Sequence, residues 1–185
     1  MSYYNVLLFV HIAAAVVWIG GGTALTVLGS RFARVRDSAG LEGLFRQSAW
    51  LSSRIFTPAS LVVLVAGILL VIEGPWSFGD LWIVLGLAGL AVTFLTGLLF
   101  LLPRAKAINA TLESSGRMTD EAAEATRRLF VLTRIDYTAL FLIVAAMALK
   151  PTTEDVWTLV AMAAVLVASA ALVTRDLRGT DRRRV

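Results

Sequence analysis

The sequence predicts an all-α integral membrane protein: an antiparallel four-helix transmembrane bundle followed by a fifth, C-terminal transmembrane helix, with helices one to four continuing into the cytoplasm. Three observations carry this prediction. Apolar residues fill 58% of the 185 positions, more than an ordinary soluble domain uses. They gather in runs of about 20, the length that crosses a hydrocarbon core of roughly 30 Å. The basic residues lie between and after these runs and sort to one side, since sixteen of the 17 Lys+Arg fall in alternate connections and the tail, leaving Lys150 alone opposite. By the positive-inside rule the amino terminus is outside and the carboxyl terminus cytoplasmic. The expected compartment is a bacterial inner membrane, crossed by a single membrane domain over 1–185.

Residues 5–30 hold the first apolar run, and "MSYYN" before it has no basic stretch of the kind that opens a signal peptide, so the span is expected to be retained. "FARVRDSAGLEGLFRQSAWLSSRIF" has turn residues only around Asp37 to Gly40, which predicts that helix one runs past the membrane and helix two begins before it. Span two covers 55–72 and span three 81–102, joined by the tight external turn "GPWSFGD". Pro58 and Pro103 each remove a backbone donor and predict kinks near the cytoplasmic interface. Ser114, Ser115 and Gly116 stop the third helix. Thr119, followed by Asp120, Glu121 and Glu124, starts the fourth with acids suited to the helix dipole. Span four is 130–149, with Arg134 and Asp136 near its cytoplasmic end, and span five is 156–174, started by a Thr152-x-x-Asp155 cap. Trp76, Trp82 and Trp157, with Tyr3 and Tyr4, map to the external interface as an aromatic belt.

The basic flanks read as topology determinants that touch anionic headgroups, which sets nucleic acid aside as a partner and leaves the lipid bilayer. Cysteine is absent, which excludes disulfides, thiolate metal sites and cysteine nucleophiles. Few polar residues remain inside the spans. His11 is the sole histidine, and helical steps from it give His11, Ala15, Trp18, Gly22, Thr26 and Gly29 on one face of mostly small residues, where another backbone or a flat ligand could come close. An imidazole there either hydrogen-bonds a neighbouring helix or ligates a metal. Asp136 is the second ionisable group within a span, and Arg34, Arg54 and Arg104 at neighbouring helix ends are its candidate ion-pair partners. Thr93, Thr96 and Gly97 give span three a small polar face. The stripe Ala161, Ala164, Ala168 and Ala171 on span five suits close packing on the bundle or on another subunit. Met147 lies at a depth close to that of His11, a candidate soft second ligand or a packing residue.

The stretch "VHIAAAVVWIGG" resembles the first span of the superfamily that joins CopD-type copper-resistance membrane proteins with HemJ-type protoporphyrinogen oxidases. Together with "RIFTPASLVVLVAGILL", "WSFGDLWIVLGL" and the pair Lys150-Pro151, the chain up to about Lys150 is similar to a branch described only as predicted integral membrane proteins of unknown function. The resemblance implies a four-helix bundle with His11 as a b-type haem ligand, and Lys150 as the lysine of the Lys-Pro pair that ends the bundle. The oxidases carry a functional lysine on their third span, and residues 81–102 contain none.

The leading expectation is a bundle that binds one b-type haem or porphyrin through His11 beside Trp18 and Gly22. A non-enzymatic structural or assembly subunit, alone as a homo-oligomer or within a membrane complex, is the alternative. CopD-like metal transport is the third. Only Met118, Met147 and Met162 come after the initiator methionine, a sparse supply of soft ligands for Cu(I). No paired carboxylates, nucleophile with adjacent base or phosphate-binding loop points to an enzymatic reaction.

Overall fold

The computed structural model describes residues 2–181, with side chains through residue 178, and among these residues all regular structure is helical. Five helices account for it: α1 (Tyr3–Val35), α2 (Ser38–Glu73), α3 (Leu81–Ser115), α4 (Asp120–Leu149) and α5 (Val156–Asp181). All five contain stretches long and apolar enough to cross a membrane. The first four have 33, 36, 35 and 30 residues. At about 1.5 Å per residue they outrun a hydrocarbon core of roughly 30 Å, and the surplus lies at the arginine-bearing ends.

Local chemistry sets most of the boundaries. Arg36 takes the left-handed conformation (φ 56°), and Asp37 caps α2 by accepting a hydrogen bond from the Gly40 N–H at 2.8 Å. The turn expected over residues 37–40 therefore tightens to Arg36–Asp37. Gly116, at φ 69°, ends α3, and the Thr119 hydroxyl accepts from the Ala122 N–H at 3.2 Å to open α4.

The turn before α5 forms half of the expected cap. Asp155 accepts from the Thr152 N–H at 2.8 Å and hydroxyl at 2.9 Å, while the Thr152 hydroxyl accepts from the Glu154 N–H rather than that of Asp155. These bonds to Thr152 hold the exposed Asp155 carboxyl below its ordinary value of 3.8. A depressed carboxyl stabilises the turn above that value and releases it as pH falls through the lower, folded one. Protection of the Thr152 amide from hydrogen exchange should accordingly be full near neutrality and decline in acid, whereas Asp155→Ala should be weakly protected throughout. Wild-type protection that does not change with pH would rule this out.

Within α1, α2 and α3 the helix widens into a π turn, at Val16–Gly20, Ser52–Phe56 and Gly97–Leu101. Two of the three stand directly before a proline. A proline ring clashes with the carbonyl four residues earlier; for Pro58 that is Arg54 and for Pro103 it is Leu99, and each lies inside the π turn. The sequence predicts kinks at these prolines, and the structure places this widening ahead of each. The third π turn precedes no proline and runs into Gly20, Gly21 and Gly22.

Contacts between α1 and α2 run in opposite order along the two helices. The Trp76 indole N–H, just past α2, donates to the Tyr4 hydroxyl at 3.3 Å, His11 meets Val63, and Phe56 lies against Gly21. Further along, α1 turns to α4: Tyr137 lies on Gly22, the Thr26 and Thr133 hydroxyls are 3.5 Å apart, and Phe130 lies on Gly29. Met147 and Ile143 of α4 lie on Gly86 and Gly89 of α3. Thr138 shares a hydrogen bond of 2.9 Å with Ser169 of α5. Thus α4 touches α1, α3 and α5. Lipid tails are as apolar as leucine and give helices no hydrophobic reason to associate, so glycines that admit a large side chain at close range suit a membrane interior.

Beyond the apolar runs a different core takes over. Phe45 of α2, Ile108 and Leu112 of α3 and Leu129 of α4 form one buried cluster, and Glu42 accepts from the Met118 N–H at 3.0 Å across the two hairpins. The alanine stripe of α5 points away from this assembly, with Ala161, Ala164, Ala168 and Ala171 all exposed.

Candidate functional site

His11 packs on α2. A Cβ added to Gly67 would lie 3.1 Å from the His11 Cε1, so the glycine is what lets the imidazole reach the backbone. Its Nδ1 is 2.9 Å from the Val63 carbonyl oxygen. A carbonyl only accepts, so Nδ1–H donates, and in the neutral ring the lone pair stays on Nε2.

The expected shared face of His11, Trp18, Gly22, Thr26 and Gly29 is split. His11 faces α2, whereas Gly22, Thr26 and Gly29 are buried against α4. The π turn at Val16–Gly20 is the cause, since an extra residue in one turn rotates the remainder of the helix by about 100° relative to an unbroken α-helix. Trp18 lies in that turn, half-buried. The space above Gly22, expected to admit a flat ligand, is filled by the Tyr137 ring and hydroxyl. Met147 seats its methyl against Gly86 of α3, so His11 and Met147 are committed to different helices.

Asp136 is half-buried. It shares a helical stripe with Leu140, Ile143 and Met147, of which the last two contact α3. No hydrogen bond or ion pair joins it to Arg34, Arg54, Arg104 or any other described residue. Two residues earlier Arg134 does pair, its Nη1 donating to Asp176 of α5 at 2.8 Å and its Nε to the Ser30 hydroxyl at 3.3 Å.

Lys150 ends α4 in the left-handed conformation (φ 48°), with Pro151 fully buried behind it. Its ammonium stands 3.8 Å from the centre of the Trp76 ring and 5.4 Å from that of Trp82. The two indoles meet edge to face, with centroids 5.2 Å apart. With Tyr4 on the Trp76 N–H, this cluster ties the start of α1, the α2–α3 turn, the start of α3 and the end of α4. Cation–π contacts of this kind are worth about 0.5–2 kcal/mol.

Sequence reasoning passed over Tyr137, Thr133 and Phe130. A signal for them exists: they recur at helical spacing on α4 and oppose Gly22, Thr26 and Gly29 on α1, large against small. Among the described residues no three His, Cys, Asp or Glu side chains gather where they could hold a metal ion.

Fold and site together define a polytopic helical membrane protein in which His11–Val63, Thr26–Thr133 and Thr138–Ser169 tie neighbouring helices. The chain belongs to the family described as predicted integral membrane protein (DUF2269), whose family model matches residues 5–151. The match takes in the first four helices through Lys150-Pro151 and leaves α5 outside. No curated protein and no solved structure matches the chain.

Proposed function

We propose that this protein is a structural or assembly subunit of a bacterial inner membrane, built as an antiparallel four-helix bundle with an added fifth helix and acting as a homo-oligomer or within a larger complex. Its amino end is outside and its paired hairpins are cytoplasmic. The arginine-bearing ends of the first four helices support that orientation under the positive-inside rule. The observation that carries the functional reading is the His11 hydrogen bond to Val63, which gives the sole imidazole an interhelical tie as its task.

Asparagine separates this task from metal ligation, because its side-chain amide stands where Nδ1 stands but offers no lone pair of imidazole type. His11→Ala should lower thermal stability in detergent by about 1 kcal/mol, the net worth of one hydrogen bond, and His11→Asn should recover most of the loss. If asparagine proves no better than alanine, the tie is not what His11 supplies.

A second reading is b-type haem binding through His11, as the likeness of "VHIAAAVVWIGG" to the CopD and HemJ superfamily suggests. One observation favours it: metal-bound histidines usually donate their other ring N–H to a carbonyl or carboxylate, which orients the ring, and Nδ1–H does so here. His11 Nε2 would be the atom that holds the iron; Gly22 and Met147 do not complete the site, lying against Tyr137 and Gly86. Haem, when bound, supplies redox or ligand-binding chemistry of its own. Protein purified from haem-sufficient cells should then show a Soret band that both His11→Ala and His11→Asn lose, and colourless wild type ends this reading.

A further inference from the structure

A groove of about 430 Å³ runs along α1 beside α4 at the arginine-bearing end, with Arg31, Arg34 and Arg134 around it, Ser30 within it and Val27 and Val35 on its walls. We propose that it is a binding site for the headgroup of an anionic phospholipid. Such a site is independent of what the protein does and needs only that its helices lie in a membrane.

The charge of the groove favours an anion. Arg134 is held as a wall by Ser30 and by the Asp176 carboxylate, which offsets one positive charge. Arg31 and Arg34 make no hydrogen bond or ion pair with any described residue, so two guanidinium groups stand open on the same stretch of helix. Guanidinium presents a fork of donors that matches a phosphate diester.

Its position favours a lipid. Ser30 and Arg31 mark the change from apolar run to basic flank, where phosphates of the leaflet lie. Val27, one turn towards the apolar run, is 62% exposed, leaving an apolar surface for the first part of an acyl chain. Basic pockets between transmembrane helices on the cytoplasmic side suit anionic headgroups. A soluble phosphate would match the arginines and gain nothing from Val27, so the lipid is the occupant.

The test uses the full chain in a neutral detergent, with phosphatidylglycerol or phosphatidylcholine added and retained lipid counted by native mass spectrometry. Phosphatidylglycerol should be retained in preference. The Arg31→Gln/Arg34→Gln double variant should bind it at least about tenfold more weakly, because two forks of charge-assisted hydrogen bonds to the phosphate are lost. Arg54→Gln/Arg104→Gln, which removes equal charge at the same end of α2 and α3, should bind within about twofold of wild type. Equal losses in the two variants would reduce the effect to general charge and overturn the site. Displacement of the lipid by millimolar inorganic phosphate would assign the groove to a soluble anion instead. Should the first variant fail to fold, wild type decides alone: photoreactive phosphatidylglycerol should mark peptides around residues 27–35 and Arg134, and label confined to α2 or α3 overturns the proposal.

Discussion

Replacing Gly29 by alanine should destabilise the protein by about 1–3 kcal/mol, the usual cost of forcing an extra group into a packed interior. The added Cβ would stand 2.5 Å from the Phe130 Cδ1 and 2.6 Å from its Cγ and Cε1. Because Cγ is the root of the ring, turning the ring about its own axis does not open space; the side chain must leave or the helices must part. Gly43 is the internal control. It is helical and exposed, with nothing within 4 Å of an added Cβ, so Gly43→Ala should stabilise by up to about 1 kcal/mol through helix propensity alone. Thermal unfolding in detergent compares the two, and a Gly29→Ala protein as stable as Gly43→Ala would show that α1 and α4 do not meet as described.

Leu112→Ala should cost more, about 2–5 kcal/mol, and its effect should be felt at the hairpins. Leu112 is 2% exposed, between Phe45, Ile108 and Leu129. Outside the lipid a truncated leucine loses its transfer from water as well as its contacts and leaves a cavity. A leucine inside the bilayer, such as Leu70, has only the contacts to lose. Trypsin added to the protein in detergent should cut Leu112→Ala near Arg117, Arg127 and Arg128 much faster than wild type, while Leu70→Ala is cut at the wild-type rate. Equal protection of wild type and Leu112→Ala would mean that the four-residue cluster does not hold the hairpins together.

The spans were legible because a membrane imposes one coarse requirement, some 20 apolar residues without interruption. Span three was expected to begin at Leu81 and span four to end at Leu149, and helices α3 and α4 have those limits. Helix starts and stops at Thr119 and Gly116 were legible for an equally local reason, since capping depends on a few adjacent atoms. What a side chain faces was harder to read. His11 could be placed on a helix and at a depth, but the Val63 carbonyl is backbone and leaves no mark in sequence. Asp136 invited an arginine by charge alone, whereas its near neighbour Arg134, two positions away, pairs with Asp176 on α5. The small stripe on α1 was visible. Its division between two partners was not, because helical periodicity counts 3.6 residues in every turn and the turn at Val16–Gly20 has more.

That π turn also bears on how sequences of this kind can change length. A helix read as one rigid rod tolerates no insertion, since each added residue turns everything after it away from its partner. In α1 the first half answers to α2 and the second half to α4, and the odd residue between them is absorbed where the two duties meet. Removing one residue from Val16–Gly20 would close the turn to ordinary helix and leave both halves facing as they do, His11 on Val63 and Gly22 and Gly29 on α4. The first span can thus shed one residue at its centre without either half letting go of its partner, and an insertion anywhere else would turn one partner away.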